Sequence, residues 1–149
     1  MKQFAARFAA ALLLAGSALC HADRPPRAEL LARAAAVSAT AYPDADSVLV
    51  LDHTFESYRP DGTGASTNEW YEKILTEKGR RESRTASFWM DAAYGSVAVC
   101  LAEIVKPDGT SAAIDVTRNS RLMIDSGQME SNIFDPNSKV LTLALPGLE

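Results

Sequence analysis

The chain has 149 residues, 47% of them hydrophobic, with 15 basic and 19 acidic residues and a formal charge of −4. That length holds one domain with a real core. The acidic balance argues against binding to nucleic acid or to an anionic membrane surface, because both repel negative protein.

Residues 1–22 read as a secretory signal peptide. Lys2 and Arg7 form a positive start, Phe8 to Leu14 is an apolar run, and Cys20-His21-Ala22 offers a small-residue cleavage site. The run is too short to span a bilayer, which needs about 20 apolar residues. Cleavage is expected after Ala22. A lipidated Cys20 is the lesser alternative, because Leu19 stands where a lipobox wants a small side chain. Removing 22 of 149 residues leaves 127. Losing Lys2 and Arg7 from fifteen basic residues leaves 13 against 19 acids, a formal charge of −6. The exported chain then keeps one cysteine, Cys100, and one histidine, His53. It can form no intramolecular disulfide and, as a monomer, no Cys/His structural zinc site, which needs four ligands. The expected compartment is the periplasm or the cell surface.

Residues 23–41 form a leader and a short helix. Asp23 to Arg27 is polar and proline-containing, and Ala28 to Ala41 carries Leu30, Leu31, Ala34, Ala35 and Val37 at helical spacing, with Pro43 and Asp44 ending it. From Ser47 the period changes to two. Leu49, Leu51, His53 and Phe55 are expected on one face of a strand, with Val48, Val50, Asp52 and Thr54 on the other. Arg59-Pro60-Asp61-Gly62 predicts a tight turn, Thr67 to Leu75 a second strand, and Glu77-Lys78-Gly79 its end. Arg80 to Ser87 reads as an exposed edge or loop. Val97 to Val105 is apolar on both faces, hence a central strand. Lys106-Pro107-Asp108-Gly109 repeats the first turn, and both are expected to be type I turns with a glycine bulge. A strand near Ser111 to Val116, an irregular polar stretch from Thr117 to Asn137, and a last strand over Lys139 to Leu145 complete the pattern. Residues 42–149 are therefore expected to be a mostly β domain, an antiparallel β-sandwich preceded by the signal peptide and one short N-terminal helix.

Three segments in fixed order carry a resemblance: Ile74-Leu75-Thr76-Glu77-Lys78-Gly79, Ile104-Val105-Lys106-Pro107-Asp108-Gly109, and Leu143-Ala144-Leu145-Pro146-Gly147-Leu148-Glu149. With Tyr42-Pro43-Asp44-Ala45-Asp46 and Asp61-Gly62, they resemble the domain of unknown function 3857 over roughly residues 42–149. That resemblance implies a β-rich domain that stands between an export signal and a transglutaminase-like, papain-type domain. It carries over no catalytic residue, cofactor or metal. It also implies a further strand past Glu149, so the resemblance reads the domain as incomplete and Lys139 to Leu145 as an unpaired edge.

Candidate chemistry is sparse. Cys100 and His53 could in principle form a thiolate–imidazole pair. Cys100 lies within an apolar strand, however, so a core position is expected, and a partly buried, hydrogen-bonded role is expected for His53. Asp44, Asp46 and Asp52 lack calcium-loop spacing. Lys78, Arg80, Arg81 and Arg84 form a basic cluster, read as a solvated loop or a contact for an acidic partner. Trp70, Tyr71, Phe88 and Trp89 are the strand aromatics. Aromatics on strands favour the core, and any exposed together would make a glycan- or peptide-binding surface. The candidate partner surface is Trp70, Tyr71, Trp89, Arg80 and Arg81. The chain is thus read as a non-catalytic exported module, accessory to a transglutaminase-like domain in cis or in trans. The alternative is a stand-alone envelope module that binds peptide or glycan. No cofactor and no transmembrane segment in the exported form are expected.

Overall fold

The computed structural model describes residues 5–11 (backbone path and pairing), 25–131 and 134–148. The chain is mostly β, with two antiparallel sheets. The five-stranded sheet has the order β2-β3-β1-β5-β6, where β1 is Ala5–Ala11, β2 Ser47–Tyr58, β3 Gly64–Ile74, β5 Val99–Val105 and β6 Ser111–Ala113. The three-stranded sheet has the order β4-β8-β7, where β4 is Thr85–Asp91, β7 Ser120–Ile124 and β8 Ser138–Ala144. Helices α1 (Arg27–Ala36), α2 (Glu77–Glu82) and α3 (Val116–Asn119) and a 3-10 turn at Ser126–Ser131 join them. Among the described residues no helix is long and apolar enough to cross a membrane.

Two turns set both hairpins of the large sheet by the same chemistry. In Arg59–Thr63 and in Lys106–Thr110 the glycine amide donates to the first residue's carbonyl, at 3.0 and 2.9 Å. The first residue's amide in turn donates to the threonine carbonyl, at 2.7 and 2.8 Å. Gly62 and Gly109 adopt φ of 83° and 82°, a region that costs any side chain. Each aspartate Oδ1 accepts from the amide and the hydroxyl of the threonine two residues on. These hydrogen bonds hold the Asp61 and Asp108 carboxyls below the ordinary value, the threonine hydroxyl contributing most.

One face of the large sheet meets the small sheet. Ile74, Ala102 and Ile104 share a buried cluster with Leu143, Leu145 and Leu148, and Trp70, Phe88 and Leu141 pack on it. The opposite face is covered by α1, where Ala34 and Leu31 meet Tyr71, Val105 and Leu51. Lys73 ties this helix down: its Nζ donates to the Ala34 and Val37 carbonyls at 2.5 and 2.6 Å, at the helix's C-terminal end, where the Ala34 carbonyl also accepts from the Val37 amide.

Several sequence expectations are corrected. Helix α1 stops at Ala36, because Val37 is already extended, well before Pro43. The register of β2 shifts between Leu49 and Leu51, so Leu49 lies opposite Glu72 and Leu51 opposite Tyr71, and the two fall on different faces. The bulge breaks the simple alternation. Glu77 to Gly79 begins a helix rather than only ending a strand. The Thr76 side chain caps it, accepting from the Gly79 amide at 3.0 Å. Val116 opens α3 under an Asp115 cap, and the stretch read as irregular contains β7. β8 is not an edge: it pairs with β4 on one side and β7 on the other. The expected cleavage site, Cys20, His21 and Glu149 lie outside the described residues. The start of the apolar run does not, and it forms part of β1.

Candidate binding groove

The alternation of β4 creates the site. Phe88 points between the sheets, its ring 5.7 Å from Trp70 and tilted 49° to it. Trp89, one residue on, points the other way and is 66% exposed. The chain then turns: Asp91 Oδ1 accepts from the Ala93 amide at 2.8 Å, and the Asp91 carbonyl accepts from Gly95 at 3.0 Å. The Ala92 amide bonds the Asn137 carbonyl and pins the turn to the segment before β8. This turn leaves Tyr94 91% exposed.

Across from it stands the start of β3. Gly64, Ser66 and Asn68 form one wall of an open groove of about 660 Å³, Phe88 and Met90 line it, and residues 94–98 form the far side. The volume is in the usual range for a small-molecule or oligomer site. Asn68 Nδ2 donates to Thr54 Oγ1 at 2.8 Å and to Asp52 Oδ1 at 3.1 Å, so β2 and β3 carry a fixed polar row beside it. The groove combines exposed aromatic faces with short polar side chains and the carboxylate of Asp91.

Of the proposed partner-surface residues Trp70, Tyr71, Trp89, Arg80 and Arg81, Trp89 alone lines this groove, beside Phe88. Tyr71 is 2% exposed beneath α1 and cannot be a surface residue. Trp70 lies half-buried between the sheets. Arg80 sits on α2, partly covered and paired with Glu77, and Arg81 is exposed. Lys78 bonds Asp46 Oδ2 at 2.6 Å, and Thr76 bonds Asp46 Oδ1 at 2.5 Å. These bonds hold the Asp46 carboxyl below its ordinary value, Lys78 first and Thr76 second. Of the basic cluster, Lys78, Arg80 and Arg81 lie on α2, with Lys78 and Arg80 in ion pairs, and Arg84 lies in the turn that follows. Asp46 is engaged this way and Asp52 accepts from Asn68. Among the described residues no group of three or more His, Cys, Asp or Glu is placed to hold a metal.

Cys100 is exposed, contrary to the core position expected for it. The register between β1 and β5 jumps from Ala9↔Leu101 to Ala10↔Val99, so Cys100 is the extra residue of a bulge and turns out of the core. His53 is half-buried on β2, opposite Glu69. Strands β3 and β1 stand between β2 and β5, which puts Cys100 about 14 Å from His53 at about 4.8 Å per strand. A thiolate–imidazole pair cannot form across that distance.

No known protein family, curated protein or solved structure matches the chain. Tyr94 was missed in the sequence because it lies in a turn. Its only signal was an aromatic between Asp91 and Gly95, five residues from Trp89.

Proposed function

We propose that this chain is a non-catalytic, exported β-sandwich module that binds an extended glycan in the groove between its two sheets. The observation that carries the reading is the groove itself, with Trp89 and Tyr94 exposed beside Ser66, Asn68 and Asp91. Sugar rings offer apolar C–H faces to aromatics and hydroxyls to short polar side chains, so this lining suits them. The separation of Cys100 from His53 supports a binding role over nucleophilic catalysis. Export rests on the charged start and apolar run at the N-terminus. The resemblance noted above would place such a module beside a transglutaminase-like domain, in cis or in trans, where the groove could hold envelope material near that domain.

Titration of soluble peptidoglycan fragments and other envelope oligosaccharides tests the reading, with tryptophan fluorescence as the readout. Binding by the native chain that falls about ten-fold or more in Trp89→Ala and Tyr94→Ala, with unchanged unfolding midpoints, is expected. Binding only to extended peptides would reassign the ligand class. Binding to neither, or binding indifferent to both substitutions, refutes the groove.

A further inference from the structure

Strand β1 has two incompatible roles. Its residues lie within the stretch read as the export signal, yet in the fold they sit inside the large sheet, hydrogen-bonded to β3 on one side and β5 on the other. Because β1 is antiparallel to both neighbours, β3 and β5 run parallel to each other. They stand two strand spacings apart, about 9.6 Å. If signal cleavage removes residues 5–11, two facing rows of main-chain amides and carbonyls lose their partners, at a cost the fold must relieve.

The walls of that gap are chemically specific. On the α1 side, Tyr71 of β3 and Glu103 of β5 lie opposite position 7 of the inserted strand, and Glu69 lies opposite position 9. Both glutamates are only 8% exposed, and Glu103 Oε1 accepts from Arg27 at 2.6 Å. On the other side, Trp70 and Ala102 lie opposite position 8, and Ile104 lies opposite position 6. A basic residue suits position 7, in register with Glu103 and two residues from the position opposite Glu69, and a large apolar residue suits position 8, in register with Trp70 and Ala102. The sequence of β1, AARFAAA, has Arg7 and Phe8 at those two register positions.

We propose that the gap between β3 and β5 is a strand-accepting slot. Residues 5–11 fill it in the unprocessed chain. After export it takes an extended segment of a partner polypeptide, with a basic residue followed by a large apolar one. Main-chain pairing supplies the affinity, and the two buried glutamates and Trp70 supply the specificity. The slot rests on the export reading but not on the glycan groove, which it meets only at Asn68. Before cleavage, β1 acts as a built-in occupant that keeps the sheet continuous.

The test starts with the full chain, produced once through a bacterial secretion system and once in the cytoplasm. Intact mass and N-terminal sequencing report whether residues 5–11 are removed. A fluorescein-labelled peptide of sequence AARFAAA is then titrated by fluorescence polarisation. Saturable binding to the processed chain is expected, with binding about ten-fold or more weaker to the unprocessed chain, whose slot is filled. Replacing the peptide's arginine (R7E) or its ninth-position alanine (A9P) is expected to weaken binding by a similar factor, through charge and through loss of a ladder amide. Both changes lie in the peptide, so they leave the fold of the protein untouched. A secreted product that keeps residues 5–11 overturns the export reading and the slot with it. A processed chain that does not bind the peptide, or binds the R7E and A9P peptides equally well, overturns the slot alone. A processed chain that gains sheet signal by circular dichroism on adding the peptide supports the slot, and one that stays unfolded with it refutes the slot.

Discussion

Among the described glycines, Gly79 leaves the least room for a side chain, and Gly79→Ala tests that packing. Gly79 is buried on α2 against the segment that leads into β2. A Cβ there would sit 2.2 Å from the main-chain oxygen of Asp46 and 2.8 Å from its carbonyl carbon. Neither is the end of a flexible side chain, so the backbone must move by about 1.2 Å to restore an ordinary contact. That oxygen accepts from the Leu75 amide at 2.9 Å and the Thr76 amide at 3.2 Å, and the movement strains both bonds. In an exposed helix, Gly→Ala would stabilise by about 1 kcal/mol. Here two strained backbone hydrogen bonds, at about 1–3 kcal/mol each, and overpacking, at about 1–3 kcal/mol, outweigh that gain. The expected net loss is therefore about 2 kcal/mol at the least and about 8 kcal/mol at the most. Urea unfolding followed by tryptophan fluorescence measures it, with Gly95→Ala as control, since nothing lies within 4 Å of a Cβ at Gly95. A Gly79→Ala chain as stable as the native one would show that α2 does not pack on the strand entrance as described.

Four further outcomes are expected. Leu143→Ala removes a 0%-exposed side chain from the cluster shared by the two sheets and should cost about 3–5 kcal/mol in the same assay. Gly109→Ala forces a Cβ into a φ of 82° at an otherwise open site, so a loss of about 1 kcal/mol by strain alone is expected, with no change in the denaturant slope. The carboxyls of Asp46, Asp61 and Asp108 are all held below the ordinary value of 3.8, so their contribution to stability is complete above it and disappears as the pH falls through their lowered values. The urea midpoint should therefore be level above about pH 5 and fall below about pH 4, with the acid limb flattened by combining D46N, D61N and D108N; a midpoint that rises on acidification contradicts this. Lys73→Met removes the two bonds that hold the end of α1, and amide exchange should accelerate in α1 well before it does in β8.

Legibility from sequence followed the range of the interaction. The twin turns were readable because Pro presets φ, Asp bonds the residue two positions on, and Gly accepts positive φ, all within five residues. Strands β2, β3, β5 and β8 were readable from apolar runs and alternation. Strand β7 was not, because Ser-Arg-Leu-Met-Ile is short and becomes a strand by pairing with β8. Helix α2 was missed because its cap is completed by Asp46, thirty residues earlier in the chain. For the site, Trp89 was legible as an aromatic on a strand. Its company with Tyr94 and the start of β3 was not.

The sequence by itself determined the β character, the two hairpin turns and the helix before the first long strand. Each of these depends on neighbours a few residues apart or on composition. Only the tertiary structure decided which faces are buried, because the bulges at Leu49–Leu51 and at Cys100 reverse the alternation locally, and a one-residue shift sends a side chain to the opposite face. Only it placed β8 inside its sheet and β1 between β3 and β5, since strand order is fixed by contacts made across the whole chain.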